Sequence, residues 1–343
     1  MEGLRGFAVF LVFLVHYATL VKPWILDNSA IHSFSNALHT IGNSGVDLFF
    51  VLSGYLIYGS LIFRPQNFFT FMSRRVQRIY PAFLVVFIFY VLLSFTFPAE
   101  NKIPTSAYEG VIFITQNLLL LPGLFSVEPI ITVAWSLSYE MFYYLTIPFI
   151  ITVFSLRERS AAWRTAFFLT LAAVTTIYCA AYGGHIRLIM FIAGILLHEA
   201  LNSQRILPSN SSAGLFALVF GLMSTMLPVA GSNGNALKIG VLFLSFFVLC
   251  LACFRNPSAW LAKIFSQTAL RWLGNMSYSY YLLHGLALKA AFLALAVIVP
   301  TASDSAWLFW PLMPVMFALT VIPAAILFLA VEHPLSLSPQ RAQ

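Results

Sequence analysis

The sequence predicts an all-α membrane protein, a single domain over residues 1–343 with about ten spanning helices and both termini cytoplasmic. Three observations lead there. Hydrophobic residues make up 60% of the chain and charged residues only 8%, against roughly a quarter charged in an ordinary soluble domain. The mean hydropathy is +0.89, more apolar surface than a water-soluble fold of this length hides, so lipid must solvate much of it. The apolar residues also gather into runs close to the roughly 20 residues that a helix needs to cross a bilayer.

The runs lie near 4–21, 44–62, 76–97, 131–154, 164–182, 186–201, 213–230, 236–254, 278–299 and 308–331. The first carries a histidine and has no small-residue cleavage site behind it, so it reads as a retained span rather than a signal peptide. After it, Ile31, Phe34, Leu38 and Ile41 recur at helical spacing and predict a short helix on the membrane surface. His32 and His39 share that helix's other face, either a solvated face or one turned to a polar substrate. The run 111–125 is broken by Pro122 and Gly123 and reads as re-entrant or interfacial. There is no internal repeat or low-complexity tract.

The net charge of +7 raises nucleic acid as a partner in a soluble protein. Here the basic residues stand between apolar runs, which excludes that reading and points to orientation in the bilayer. With the N-terminus in the cytoplasm, the cytoplasmic segments hold 13 of the 18 Lys and Arg residues, Arg5, Arg64, Arg74, Arg75, Arg78, Arg164, Arg205 and Arg341 among them. The outer side holds Lys22, Lys102, Arg187 and Lys238, and Lys289 lies within a span. That is the bias of the positive-inside rule. Cys179, Cys250 and Cys253 all fall in apolar stretches and are expected to be buried thiols. The histidines show no metal-ligand spacing, so no metal is expected.

Ionisable side chains inside a membrane cost about 3 kcal/mol or more and mark functional positions. Arg5 and His16 are eleven residues apart, three helical turns, so they share a face, with the imidazole about 16 Å deeper than the guanidinium. Imidazole is the side chain best suited to move protons near neutral pH; a histidine satisfied by a neighbouring helix is the alternative. Asp47, in the run Gly45-Val46-Asp47, orients a histidine or caps a helix. Arg75 and Arg78 in Arg74-Arg75-Val76-Gln77-Arg78 share a face, and arginine forks match phosphate oxygens in a bidentate way; membrane anchoring is the alternative. Glu140 in Trp135-Ser136-Leu137-Ser138-Tyr139-Glu140 and His284 after Tyr280-Tyr281 lie within spans. Glu332-His333-Pro334 closes the last span and reads as a helix stopped by proline.

In this order these segments resemble the acyltransferase 3 family of membrane O-acyltransferases. The resemblance rests on Gly3-Leu4-Arg5-Gly6 with His16; Gly45-Val46-Asp47 with Ser53-Gly54; Arg75-x-x-Arg78 with Pro81; Trp135-Ser136-Leu137 with Glu140; Tyr281-x-x-His284; and Glu332-x-Pro334. It implies transfer of an acyl group, most often acetyl from cytoplasmic acetyl-CoA as co-substrate, to a sugar hydroxyl of a surface or lipid-linked glycan, in the bacterial inner membrane. It implies catalytic roles for His16, Asp47 and Glu140, and phosphate binding by Arg5, Arg75 and Arg78. Ser53, Trp135, Tyr281 and His284 are expected to bind substrate. His16 then acts as general base or carries the acyl group itself. The expected partners are membrane lipids, the donor, the glycan acceptor and polysaccharide-synthesis machinery. The chain begins almost on the first motif and carries no appended hydrolase-like domain, so the acceptor is expected to be presented by this chain or a separate partner. Two other classes compete: a proton-coupled or lipid-linked glycan transporter, which fits the paired arginines poorly, and a non-catalytic assembly protein.

Overall fold

The computed structural model describes residues 1–25, 30–98, 101–203, 210–301 and 306–337. Arg205 and Arg341 of the charge census lie outside the described residues. Within them the regular elements are helical: α1 Glu2–Leu20, α2 Ala30–Gly42, α3 Ser44–Ile62, α4 Phe68–Thr96, α5 Ala107–Leu118, α6 Trp135–Val153, α7 Ala161–Tyr182, α8 Ile189–Asn202, α9 Ser211–Ser224, α10 Gly231–Arg255, α11 Trp260–Phe265, α12 Thr268–Asn275, α13 Ser277–Ile298 and α14 Phe309–Leu327. A π-helical segment, Phe328–Leu337, continues α14.

The all-α class is as the sequence predicts, and a helix stands at each predicted apolar run. Among the described residues, seven helical stretches are long and apolar enough to cross a membrane. They are α1, α2 with α3, α4, α7, α10, α13, and the stretch Ala306–Leu337. The runs near 131–154, 186–201 and 213–230 form α6, α8 and α9; the last two have 14 residues each, about 21 Å of helix.

Contacts gather the chain into two compact units. The first comprises Met1–Pro65 and Ile147–Ser277. Its helices cross at glycines. A Cβ on Gly3 would lie 1.5 Å from the Phe265 carbonyl oxygen, one on Gly6 2.0 Å from that of Leu270, and one on Gly274 1.8 Å from that of Glu2. So Gly3 and Gly6 of the first motif seat α1 on α11 and α12, backbone against backbone, the small-residue packing that replaces hydrophobic drive in lipid. Gly54 of α3 and Gly194 of α8 do the same, with a Cβ on each 2.1 Å from a carbonyl oxygen of the other helix. The predicted short helix exists as α2. It packs on α1, where the Ser35 hydroxyl donates to the Ala18 carbonyl at 3.2 Å.

The second unit comprises Gln66–Thr146 and the residues from Tyr278 onward, the short Ala306 turn apart. Its α4 has 29 residues, about 44 Å at 1.5 Å per residue, longer than a hydrocarbon core of about 30 Å. The apolar part follows Ile79, and the arginines precede it within the first three turns. The run 111–125 gives α5 and then a turn in which Leu120 and Gly123 have φ of 56° and 92°. A Cβ on Gly123 would meet the Trp135 backbone at 2.6 Å, so this turn packs on the start of α6.

Candidate active site

In the first unit, Arg5 and His16 are both half-buried on α1. Eleven residues at 100° apiece bring them within about 20° of one another around the helix. On α1, His16 stands four residues before the helix ends at Leu20, about 6 Å. His39 of α2 lies within electrostatic reach of His16. It follows Ser35 by one turn, on the side of α2 that meets α1. Asp47 is fully buried and does not cap its helix: α3 starts at Ser44 with Asn43 before it. The carboxylate is ion-paired with Arg187 at 3.2 Å, and Arg187 also donates to the Asn43 carbonyl at 3.2 Å. Ser53, half-buried, precedes the Gly54 crossing on α3.

In the second unit the remaining residues form three groups. Arg75 has its guanidinium over the rings of Phe71 and Tyr144, 5.3 and 5.7 Å from their centroids. The Tyr144 hydroxyl donates to Glu140 at 2.5 Å. The second group centres on Glu332, which is fully buried. Its Oε1 pairs with Arg78 Nη1 at 2.9 Å. Its Oε2 accepts from the Ser279 amide at 3.0 Å and the Ser279 hydroxyl at 2.5 Å. Beside it, the Tyr278 hydroxyl donates to the Ile79 carbonyl at 2.8 Å, and Arg78 sits over the Tyr278 ring at 6.0 Å. In the third group Ser136 and Tyr281 share a hydroxyl–hydroxyl bond of 2.7 Å, with Trp135 edge-on to Tyr139. His284 is fully buried. Its Nδ1 donates to the Tyr280 carbonyl at 3.0 Å and its ring stacks on that of Tyr280. Glu140, Glu332 and Arg78 all act electrostatically on Tyr278, so α4, α6 and the π-helical segment each bring a charge near Tyr278 of α13.

The acyltransferase domain family model matches residues 1–329. The chain belongs to this family. It is 27% identical over 325 residues to "O-acetyltransferase OatA" of Staphylococcus aureus (strain NCTC 8325 / PS 47), covering 83% of this chain and 49% of that protein. It is 26% identical to "Peptidoglycan O-acetyltransferase OatA" of Listeria monocytogenes, over 83% of this chain and 48% of the relative. To "Putative peptidoglycan O-acetyltransferase YrhL" of Bacillus subtilis it is 28% identical, over 83% and 47%. The chain thus spans about half the length of the curated relatives it matches. No solved structure matches it significantly.

Two features of this family member escaped the sequence reading. Glu332 was read as part of a helix stopped by proline, but the chain stays helical through Pro334 to Leu337 and the carboxylate holds Arg78. The second is a buried network in the first unit. Arg164 forks onto Glu199, Nε to Oε1 at 2.7 Å and Nη2 to Oε2 at 2.9 Å. Its Nη1 donates to the Arg159 carbonyl at 2.7 Å, and the Tyr58 hydroxyl donates to Glu199 at 2.5 Å. Arg164 counted only as a cytoplasmic anchor. The signal available was Glu199, an acid inside the apolar run 186–201. Among the described residues no group of three His, Cys, Asp or Glu side chains is placed to hold a metal ion.

Proposed function

We propose that this chain is a multi-pass O-acyltransferase of the bacterial inner membrane, with both termini cytoplasmic. It moves an acetyl group from cytoplasmic acetyl-CoA to a sugar hydroxyl on the outer side. The acceptor is a cell-surface glycan, and peptidoglycan is the first candidate because the relatives' names specify it. The observation that carries the reading is the pairing of Arg5 and His16 on one face of α1 in a chain of the acyltransferase domain family.

In this reading His16 is the general base that takes the acceptor's hydroxyl proton, a role worth about 10²–10⁴-fold. The hydroxyl oxygen then bonds the acyl carbon while the thioester carbon–sulfur bond breaks and its electron pair leaves on sulfur. Arg5, Arg75 and Arg78 bind the donor's phosphates, for which guanidinium forks are suited. Glu140 and Asp47 balance charge. Each already has a partner, Tyr144 and Arg187 respectively, so they act as fixed charges rather than as proton carriers. Ser53, Trp135, Tyr281 and His284 shape the acceptor's binding.

The test is His16→Ala, expressed and inserted at wild-type level, with acetyl esters on the host's surface glycans measured by mass spectrometry. Loss of the acetyl ester, by about 10²-fold or more, is expected. Retained acetylation overturns the assignment of His16 as base.

A further inference from the structure

The geometry points to Glu332 as the positioning residue of the donor-phosphate site. We propose that it holds Arg78 by one nitrogen, so that the opposite edge of the guanidinium takes a phosphate of the acyl-CoA. The inference rests on the acyl-CoA reading above and adds a residue and a mechanism to it.

Burial comes first. Glu332 is fully buried, and a carboxylate in a low-dielectric interior persists only when paired and hydrogen-bonded. Both of its oxygens are engaged: Oε1 by Arg78 Nη1 at 2.9 Å, and Oε2 by the Ser279 amide and hydroxyl at 3.0 and 2.5 Å. Ser279 lies in the first turn of α13. There the helix N-terminus adds positive potential and presents amides that lack an intrahelical acceptor. The carboxylate is therefore anchored by a helix-terminal backbone amide together with the short Ser279 side chain.

Arg78 is held differently. Its side chain is 27% exposed. One nitrogen meets Glu332 and its guanidinium carbon lies over the Tyr278 ring, 6.0 Å from the centroid. Tyr278 is itself fixed by its hydroxyl bond to the Ile79 carbonyl. These two contacts on one end of a long side chain leave the Nε and Nη2 edge as the part that can meet an anion in a bidentate way. An arginine held in this way loses less side-chain entropy on binding a phosphate than a free one. The expectation that a proline merely stops the last helix assigns Glu332 no work; its bonding geometry does.

Acyl transfer is measured with the full-length protein in detergent or vesicles, using acetyl-CoA and, separately, the phosphate-free thioester S-acetylpantetheine. Glu332→Gln keeps the side chain's shape and an acceptor for Ser279 but removes the charge that holds Arg78. It should raise KM for acetyl-CoA about 10-fold with kcat little changed, and leave KM for S-acetylpantetheine unaltered. Arg78→Gln should match it, and the double variant should lose no more than either alone, as expected of two residues in one interaction. Ser279→Ala, which keeps the ion pair but removes one bond to Glu332, should raise KM for acetyl-CoA a few-fold; it keeps the test informative if Glu332→Gln does not fold.

Equal losses with both donors mean a structural role and overturn the proposal, as does an unchanged KM for acetyl-CoA. Wild-type protein that uses S-acetylpantetheine but gains nothing from acetyl-CoA refutes the donor reading itself, an outcome distinct from a failure of Glu332.

Discussion

Glu199→Leu tests how much of the first unit's stability depends on one buried ion pair. The Arg164 and Glu199 side chains are 9% and 2% exposed. The substitution removes both charge-assisted bonds of the fork, 2.7 and 2.9 Å, and leaves the guanidinium with the Arg159 carbonyl alone among these partners. Removing one member of a buried pair costs about 3–5 kcal/mol, because the remaining charge is uncompensated. The Tyr58 hydroxyl loses its acceptor as well, which adds about 1 kcal/mol. At about 2 °C per kcal/mol for a chain of this length, the roughly 4–6 kcal/mol total lowers Tm by about 8–12 °C. Unfolding in detergent can be followed with a thiol-reactive dye, since Cys179, Cys250 and Cys253 are free and buried and react only when the fold opens. The double variant Arg164→Met with Glu199→Leu should recover most of the loss, because apolar replacement of a buried pair is often neutral or better. A Tm within 2 °C of wild type for Glu199→Leu, or a double variant as unstable as the single, would refute the reasoning.

Gly6→Ala should destabilise by about 1–3 kcal/mol, since its Cβ would fall 2.0 Å from the Leu270 oxygen. Gly240→Ala in α10, where nothing lies within 4 Å, should be neutral or stabilise by up to about 1 kcal/mol; equal Tm values for the two would contradict the close crossing of α1 and α12. Asp47→Ala should cost about 3–5 kcal/mol by leaving Arg187 without its carboxylate, whereas Asp47→Ala with Arg187→Met should regain stability but not acyl transfer. Transfer restored in that double variant would remove Asp47 from the catalytic set.

The class of fold was legible because lipid imposes it: a long apolar run has no other way to satisfy its backbone than a helix. The amphipathic spacing of Ile31, Phe34, Leu38 and Ile41 likewise foretold α2, and the apolar settings of the three cysteines foretold their burial. The pairing of charges was not legible. Asp47 and Arg187 are 140 residues apart in sequence and Arg78 and Glu332 are 254 apart, and no local period links such positions. The motif glycines were legible only as a pattern. That Gly3 and Gly6 are needed for a backbone crossing follows from α11 and α12, which at six and eight residues are too short to stand out in the sequence. Glu332 was misread because a proline two residues on suggests a helix end, whereas a π-helical turn accommodates it.

The arginines carry the largest revision. Read as charges along a chain, Arg78 and Arg164 count on the cytoplasmic side and Arg187 on the outer side. In the fold each is one half of an ion pair with a buried carboxylate, Glu332, Glu199 and Asp47 respectively. Setting them aside takes two from the cytoplasmic side of the charge census and one from the outer side, so the bias that orients the chain survives. The phosphate-binding role is divided differently. Arg75 is held by ring faces, an arrangement that orients a guanidinium without neutralising it. Arg78 is held by a carboxylate, which orients it and cancels part of its charge. If both bind the donor, Arg75 supplies most of the attraction and Arg78 most of the direction. Arg75→Gln, which removes the charge, should therefore weaken acetyl-CoA binding more at low salt than at high, where screening has already reduced the attraction. Arg78→Lys, which keeps the charge but loses the fork, should weaken it equally at both.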